Sequence, residues 1–223
     1  MWRTTLFSSG AFLLALGLVP PIAEFAHEDF RGHMVQHLAL GMLAPLGLVL
    51  GAPLTLLMAT LPKSLARKTA QFLRLSPLQK LSHPVSALFL NLGGMYLLYL
   101  TPLYSASLSS GLLHLLVHLH FIVAGCLFTW AIAGPDPGPR RPSYMYRFVI
   151  LFLSMAGHAI LAKMIYAYGW PQGTHHDLAE IQSGAKLMYY AGDGAEVLLL
   201  IALLIGWKQS QQKNGPNWGH SWL

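Results

Sequence analysis

Six stretches of this sequence stay apolar for about the eighteen or more residues that a helix needs to cross the hydrocarbon core of a bilayer. They run from about Thr5 to Ile22, Met34 to Leu61, Pro84 to Thr101, Leu112 to Ala133, Tyr144 to Tyr168 and Gly184 to Trp207. Lipid cannot hydrogen-bond an open backbone, so such runs resolve into helices. With 54% apolar and only 10% charged residues, the chain lies outside the ordinary soluble class. The expected architecture is all-α, a polytopic membrane bundle of about six transmembrane helices. It forms a single domain over residues 1–208, followed by a polar, poorly ordered cytoplasmic tail over 209–223. The first run has Arg3 ahead of it, as in a signal peptide, but Pro20 and Pro21 stand where a small-residue cleavage site belongs, so it reads as an uncleaved helix. The second run is long enough to tilt, or to bend at Pro45.

Loop cations set the orientation. Lys63, Arg67, Lys68, Arg74 and Lys80 lie between runs two and three, and Arg140, Arg141 and Arg147 between four and five. Those loops are expected in the cytoplasm. Arg3 before the first run and Lys208 and Lys213 after the last put both termini on the same side, as in a multi-pass protein of a bacterial inner membrane. The net charge of +6 is thereby a matter of topology, not a nucleic-acid footprint. The inner loop from Pro62 to Ser82 mixes leucines and Phe72 with its cations. It reads either as a short helix on the membrane surface or as a basic connector. The stretch from Gly134 to Pro142 is too rich in proline for a helix and reads as a stiff turn. The single Cys126 lies in an apolar run, so no disulfide or CxxC motif is available.

On this topology only His83 and His220 of the eleven histidines fall on the cytoplasmic side. His33 and His37 share a helical face four residues apart, as do His114 and His118, and two imidazoles at that spacing can grip one ion. His158 falls in the outer half of the fifth run. Asp193 and Glu196 share a face of the sixth with Tyr189. An ionisable group near the bilayer centre costs about 2.5–3.5 kcal/mol, so these acids should face the interior with a partner: a proton, a histidine, Lys163 or a cation. His27, His175 and His176 lie in outer loops and read equally as ordinary loop residues, though His175 and His176 with the outer acids suit a weak capture point. Met34, Met155, Met164 and Met188 add thioethers. Thioether with imidazole suits copper(I), whereas carboxylate with imidazole suits copper(II) or zinc. Taken singly, a membrane histidine is more often an interhelical hydrogen-bonding residue, and a methionine more often filler. The metal reading rests on the joint set of His33, His37, His114, His118, His158, Asp193 and Glu196. The inner halves of the runs hold little polarity beyond Asn91, Thr129 and Ser154, which argues against a transporter. HExxH, Walker and G-x-S-x-G motifs are absent, which favours a binding protein over an enzyme.

The residues His33-Met34-Val35-Gln36-His37-Leu38, then Leu43-Ala44-Pro45-Leu46 and Leu50-Gly51-Ala52-Pro53, resemble the signature of the multi-helix CtaG family of cytochrome c oxidase assembly proteins. His114, His118 and Gly134-Pro135-Asp136-Pro137 with Arg140-Arg141 are similar to its second block, and Gln182, Gly184 and Met188 to its third, where Lys186 is a departure. The resemblance runs from about residue 30 to residue 200. It implies a membrane factor for haem-copper oxidases that helps copper reach the oxidase's buried copper centre, with an oxidase subunit and a periplasmic copper donor as partners within the lipid bilayer. His33, His37, His114 and His118 match the family pattern; His158, Asp193 and Glu196 come from depth and spacing, the two acids as groups that orient or tune imidazoles. Two other readings remain open: a cytochrome b-like electron carrier with histidine-ligated haem, and a metal permease.

Overall fold

The computed structural model describes residues 2–73, 75–136 and 141–214. All its regular elements are helical: α1 Trp2–Leu18, α2 Pro20–Glu28, α3 Phe30–Leu38, α4 Ala44–Leu50, α5 Pro53–Thr60, α6 Lys63–Leu73, α7 Ser76–Leu81, α8 Pro84–Leu100, α9 Leu103–Ser109, α10 Gly111–Ala133, α11 Tyr144–Tyr168 and α12 Leu178–Asn214. Four helical stretches are long and apolar enough to span a bilayer, Phe30–Leu50, Gly111–Ala133, Tyr144–Tyr168 and Leu178–Gln212. The pairs α1/α2 and α8/α9 bend by 57° and 78°, and bring the count to six if each is one span. Leu115, Leu116, Phe152, Leu153, Leu198 and Ile201 lie exposed on the outside of the bundle, as lipid-facing residues do.

The second apolar run departs from expectation. Its helix stops at Leu50, and the chain turns at Ala52, whose φ of 57° is left-handed, before Pro53 opens α5. Pro45 does not break it. A π-helical turn, Ala39–Leu43, joins α3 to α4 just ahead of the proline, so the wider turn absorbs the missing amide hydrogen and the ring. Helix α10 crosses this turn closely: a Cβ on Gly125 would lie 2.2 Å from the Gly41 carbonyl oxygen. The first run bends before Pro20 instead of continuing to Ile22. The loop from Pro62 to Ser82 is largely helical, as α6 and α7. Lys63, Arg67, Lys68, Leu65 and Phe72 of α6 are all exposed. Helix α12 carries residues 209–214 beyond the boundary expected at Lys208. Arg74, Pro137, Arg140, His220 and the rest of the expected tail lie outside the described residues.

Helix α3 lies at the centre of one end of the bundle, packed against α2 and α12, while α10 lies against the π turn and α4; α11 packs on α12 and α8. One apolar cluster, with Phe30, Tyr99, Tyr104, Phe121, Leu161 and Met188, fills the histidine-bearing end. Phe128, Ile132, Ile150, Leu151 and Leu203 fill the other.

That other end is fastened by polar groups from separate signature blocks. Asp136 accepts hydrogen bonds from the Leu54 amide at 3.1 Å, the Thr55 amide at 2.7 Å and the Thr55 hydroxyl at 2.6 Å, so it satisfies the free amides opening α5. Arg141 donates to the carbonyls of Asp136 and Gly134. Arg147, expected as a loop cation, is buried. It donates to the Ile132 carbonyl at 2.8 Å and stacks over Tyr144, whose hydroxyl donates to the Gly206 carbonyl. Trp2, Arg3, Arg141, Arg147 and Gln209 line one cleft there, so both ends of the described chain share this end of the bundle.

Candidate functional site

The i,i+4 spacing on α3 turns His33 and His37 to one inward face, and both are buried. His33 lies beneath the aromatic rings of Phe30, Tyr99 and Tyr104, with its ring centroid 4.8 Å from that of Tyr104. Its Nε2 lies 3.1 Å from the Tyr99 hydroxyl, which in turn lies 3.8 Å from Met34 Sδ, while Nδ1 has no hydrogen-bond partner. An imidazole held through one nitrogen presents the other to an ion. One turn deeper, His37 packs edge-on to Phe121, and neither of its nitrogens has a partner. Helix α3, which carries it, packs against α12.

His158 is fully buried, and both its nitrogens are also without partners. Its Nδ1 lies 3.9 Å from Glu196 Oε2 on α12, too long for a hydrogen bond. Ser154 donates to Glu196 Oε1 at 3.4 Å and leaves Oε2 unpartnered in the interior. Asp193 completes the group: among the described residues, His158, Asp193 and Glu196 form the trio whose ligand atoms all lie within 4.8 Å of one another. Gly192 makes room for the imidazole, since a Cβ there would sit 2.1 Å from His158 Cε1. A buried donor or acceptor left unsatisfied costs about 1–3 kcal/mol. Three such atoms lie within the trio, on His158 and Glu196, and two more lie on His37; imidazole with carboxylate suits a borderline transition-metal ion.

The histidines of α10 are arranged differently. His118 Nδ1 donates to the His114 carbonyl at 2.9 Å, and its Nε2 lies 2.8 Å from Gln36 Oε1, while the Gln36 amide donates to the Gly17 carbonyl at 2.9 Å. Both His118 nitrogens are therefore engaged, and the chain of bonds ties α10 to α3 and α1. His114 is half-buried and lies against His27, with ring centroids 5.2 Å apart. Among the described residues, His33, His37, His114 and His118 make no group of ligand distance by themselves.

The segment between α11 and α12 packs over the histidine-bearing end. His176 is buried against Phe30 and Tyr104, with Nε2 3.2 Å from the Tyr104 hydroxyl and Nδ1 2.7 Å from Glu180 Oε1. Glu180 also accepts from the Phe30 amide and thereby joins the first turn of α12 to that of α3. Burial pushes the His176 imidazole below its ordinary value, against the opposing pull of Glu180. Asp29 caps α3 by accepting from the Arg31 amide at 2.7 Å, and hydrogen bonding from the Arg31 side chain holds its carboxyl below the usual range. Lys163, a candidate partner for the acids, lies over the Tyr189 ring instead.

Gln36, Tyr99 and Tyr104 are site residues that the sequence reading passed over. Gln36 carried a signal, as a buried amide between two histidines on one helix. The tyrosines carried none, because aromatic residues in apolar runs look like core.

The chain matches the model of the cytochrome c oxidase caa3 assembly factor family over residues 1–210. It is 40% identical over 210 residues to uncharacterised proteins of Mycobacterium bovis and Mycobacterium tuberculosis, covering 86% of this chain and 32% of each relative. An uncharacterised protein of Mycobacterium leprae is 28% identical over 230 residues, with 95% of this chain and 35% of the relative covered. The chain thus spans about a third of the length of these curated relatives. No solved structure matches it. By its signature blocks and by a family match that takes in every helix of the bundle, this membrane protein belongs to the Caa3_CtaG family of cytochrome c oxidase caa3 assembly factors.

Proposed function

We propose that this protein holds copper as cargo at the interior His37, His158, Asp193 and Glu196 site and passes it to a cytochrome c oxidase subunit during assembly. It acts as a binding and assembly protein, not as a catalyst. The single observation that carries this reading is the set of unpartnered buried atoms on His37, His158 and Glu196, from α3, α11 and α12, the last of which packs on both of the others. Family membership supplies the oxidase as the partner class. In this reading the histidine end faces outward from a bacterial plasma membrane, because the loop cations gather at the opposite end. A periplasmic donor delivers the ion at His27, His114 and His175. The uncommitted Nδ1 of His33 receives it below the mouth, and His37 leads it to the carboxylates.

The test is made in cells that lack this protein and depend on a plasmid copy. Oxidase purified from cells with a His37→Ala, His158→Ala double variant is expected to keep its haem but lose copper relative to wild type. Fully copper-loaded oxidase, with the variant present at wild-type level in the membrane, would rule the proposal out.

A further inference from the structure

The donor set at the interior site bears on the charge of its cargo. Its ligand atoms are imidazole nitrogen and carboxylate oxygen: His158, with two acids whose ligand atoms stand within 4.8 Å of it and of each other. Of the methionine sulfurs that would favour a soft monovalent ion, one is engaged elsewhere. Met34 Sδ accepts from the Tyr99 hydroxyl. Met188 is buried in the apolar cluster of the histidine end, and Met155 packs against the cluster of the opposite end.

Charge points the same way as softness. Two carboxylates share a largely buried space, with no lysine or arginine paired to either among the described residues. In a low-dielectric interior, a dication lets both carboxylates stay ionised, whereas a monocation leaves one of them to be neutralised by a proton. We propose that this site takes its cargo as a divalent, borderline transition-metal cation, copper(II) or zinc(II), and not as copper(I). The inference rests on the reading of the trio as a metal site and adds the oxidation state of what it holds.

The test uses the full chain, purified in detergent and stripped of metal. It is equilibrated in separate arms with copper(II), with zinc(II), and anaerobically with copper(I) buffered by a chelator. Wild type is expected to retain stoichiometric copper(II) or zinc(II), and copper(II) should give a paramagnetic resonance spectrum with nitrogen hyperfine structure. The near-isosteric variants Glu196→Gln and Asp193→Asn should weaken retention of the divalent ions on the order of tenfold or more. Copper(I) retention should be weaker in wild type and unchanged by either variant. Tight copper(I) binding that outcompetes the divalent ions, or divalent binding indifferent to both substitutions, would overturn the inference and leave the metal-holding reading standing. Failure to retain any of the three ions would remove that reading as well. The wild-type resonance spectrum decides the matter even if a variant folds poorly.

Discussion

His158 Nδ1 stands 3.9 Å from Glu196 Oε2 in the middle of the bundle, on neighbouring helices, and neither atom has a hydrogen-bond partner. The gap is too wide for a hydrogen bond and suits a small cation held between the two. That spacing depends on Gly192, which gives the imidazole its room from the same helix as Glu196.

Gly192→Ala should therefore disturb the site without removing a ligand. Its Cβ would lie 2.1 Å from His158 Cε1, so the ring must shift. Overpacking of this kind costs about 1–3 kcal/mol. Metal retention should fall on the order of tenfold. Gly194→Ala, with nothing within 4 Å of the added atom, is the matched control and should leave both stability and retention unchanged.

At the opposite end, Asp136→Ala removes three hydrogen bonds from the first turn of α5. Loss of a cap costs about 0.5–2 kcal/mol, so the thermal unfolding midpoint in detergent should drop. Metal binding should not change, since this end is separate from the histidines. A variant that lost metal with its midpoint intact would show that the two ends are coupled.

Much of this arrangement was legible in the sequence. The apolar runs gave the span count, and the loop cations marked the end where both termini now meet. The placement of Asp193 and Glu196 inside the bundle follows from their depth. Neighbour relations were not legible, because periodicity fixes the face of a helix but not the helix it meets. Hence His158 lies beside the acids, while His118 is tied to Gln36. Pro45 left a tilt and a bend both open for a related reason: a proline signals a lost hydrogen bond, and a π turn and a kink both accommodate it. The joint occurrence of Leu50-Gly51-Ala52-Pro53 and Gly134-Pro135-Asp136 likewise became intelligible only once Asp136 was seen to cap α5.

Gln36→Leu should separate anchoring from ligation. It removes the link between His118 Nε2 and the Gly17 carbonyl, leaving buried polar atoms unpaired at about 1–3 kcal/mol. Stability should fall by that order, as measured by thermal unfolding. Metal retention by the His158 trio should persist, because none of its ligands touches the amide.

The histidine-bearing end should respond to pH. His176 is held below its ordinary value of 6.5, mainly by burial, with Glu180 opposing. The unfolded chain thus binds a proton more readily than the folded one, and stability is present above 6.5 and lost as pH falls below it. Hydrogen exchange at the start of α12 should accelerate over that range. In His176→Gln the same region should show a flatter pH dependence.

The most direct measurement is the copper content of detergent-purified protein after copper loading and removal of free metal, for wild type and the His37→Ala, His158→Ala double variant. Stoichiometric copper in wild type, lost in a double variant that remains monodisperse and helical, is the expected result. Equal copper in both proteins, or none in wild type, would contradict the assignment of the interior site.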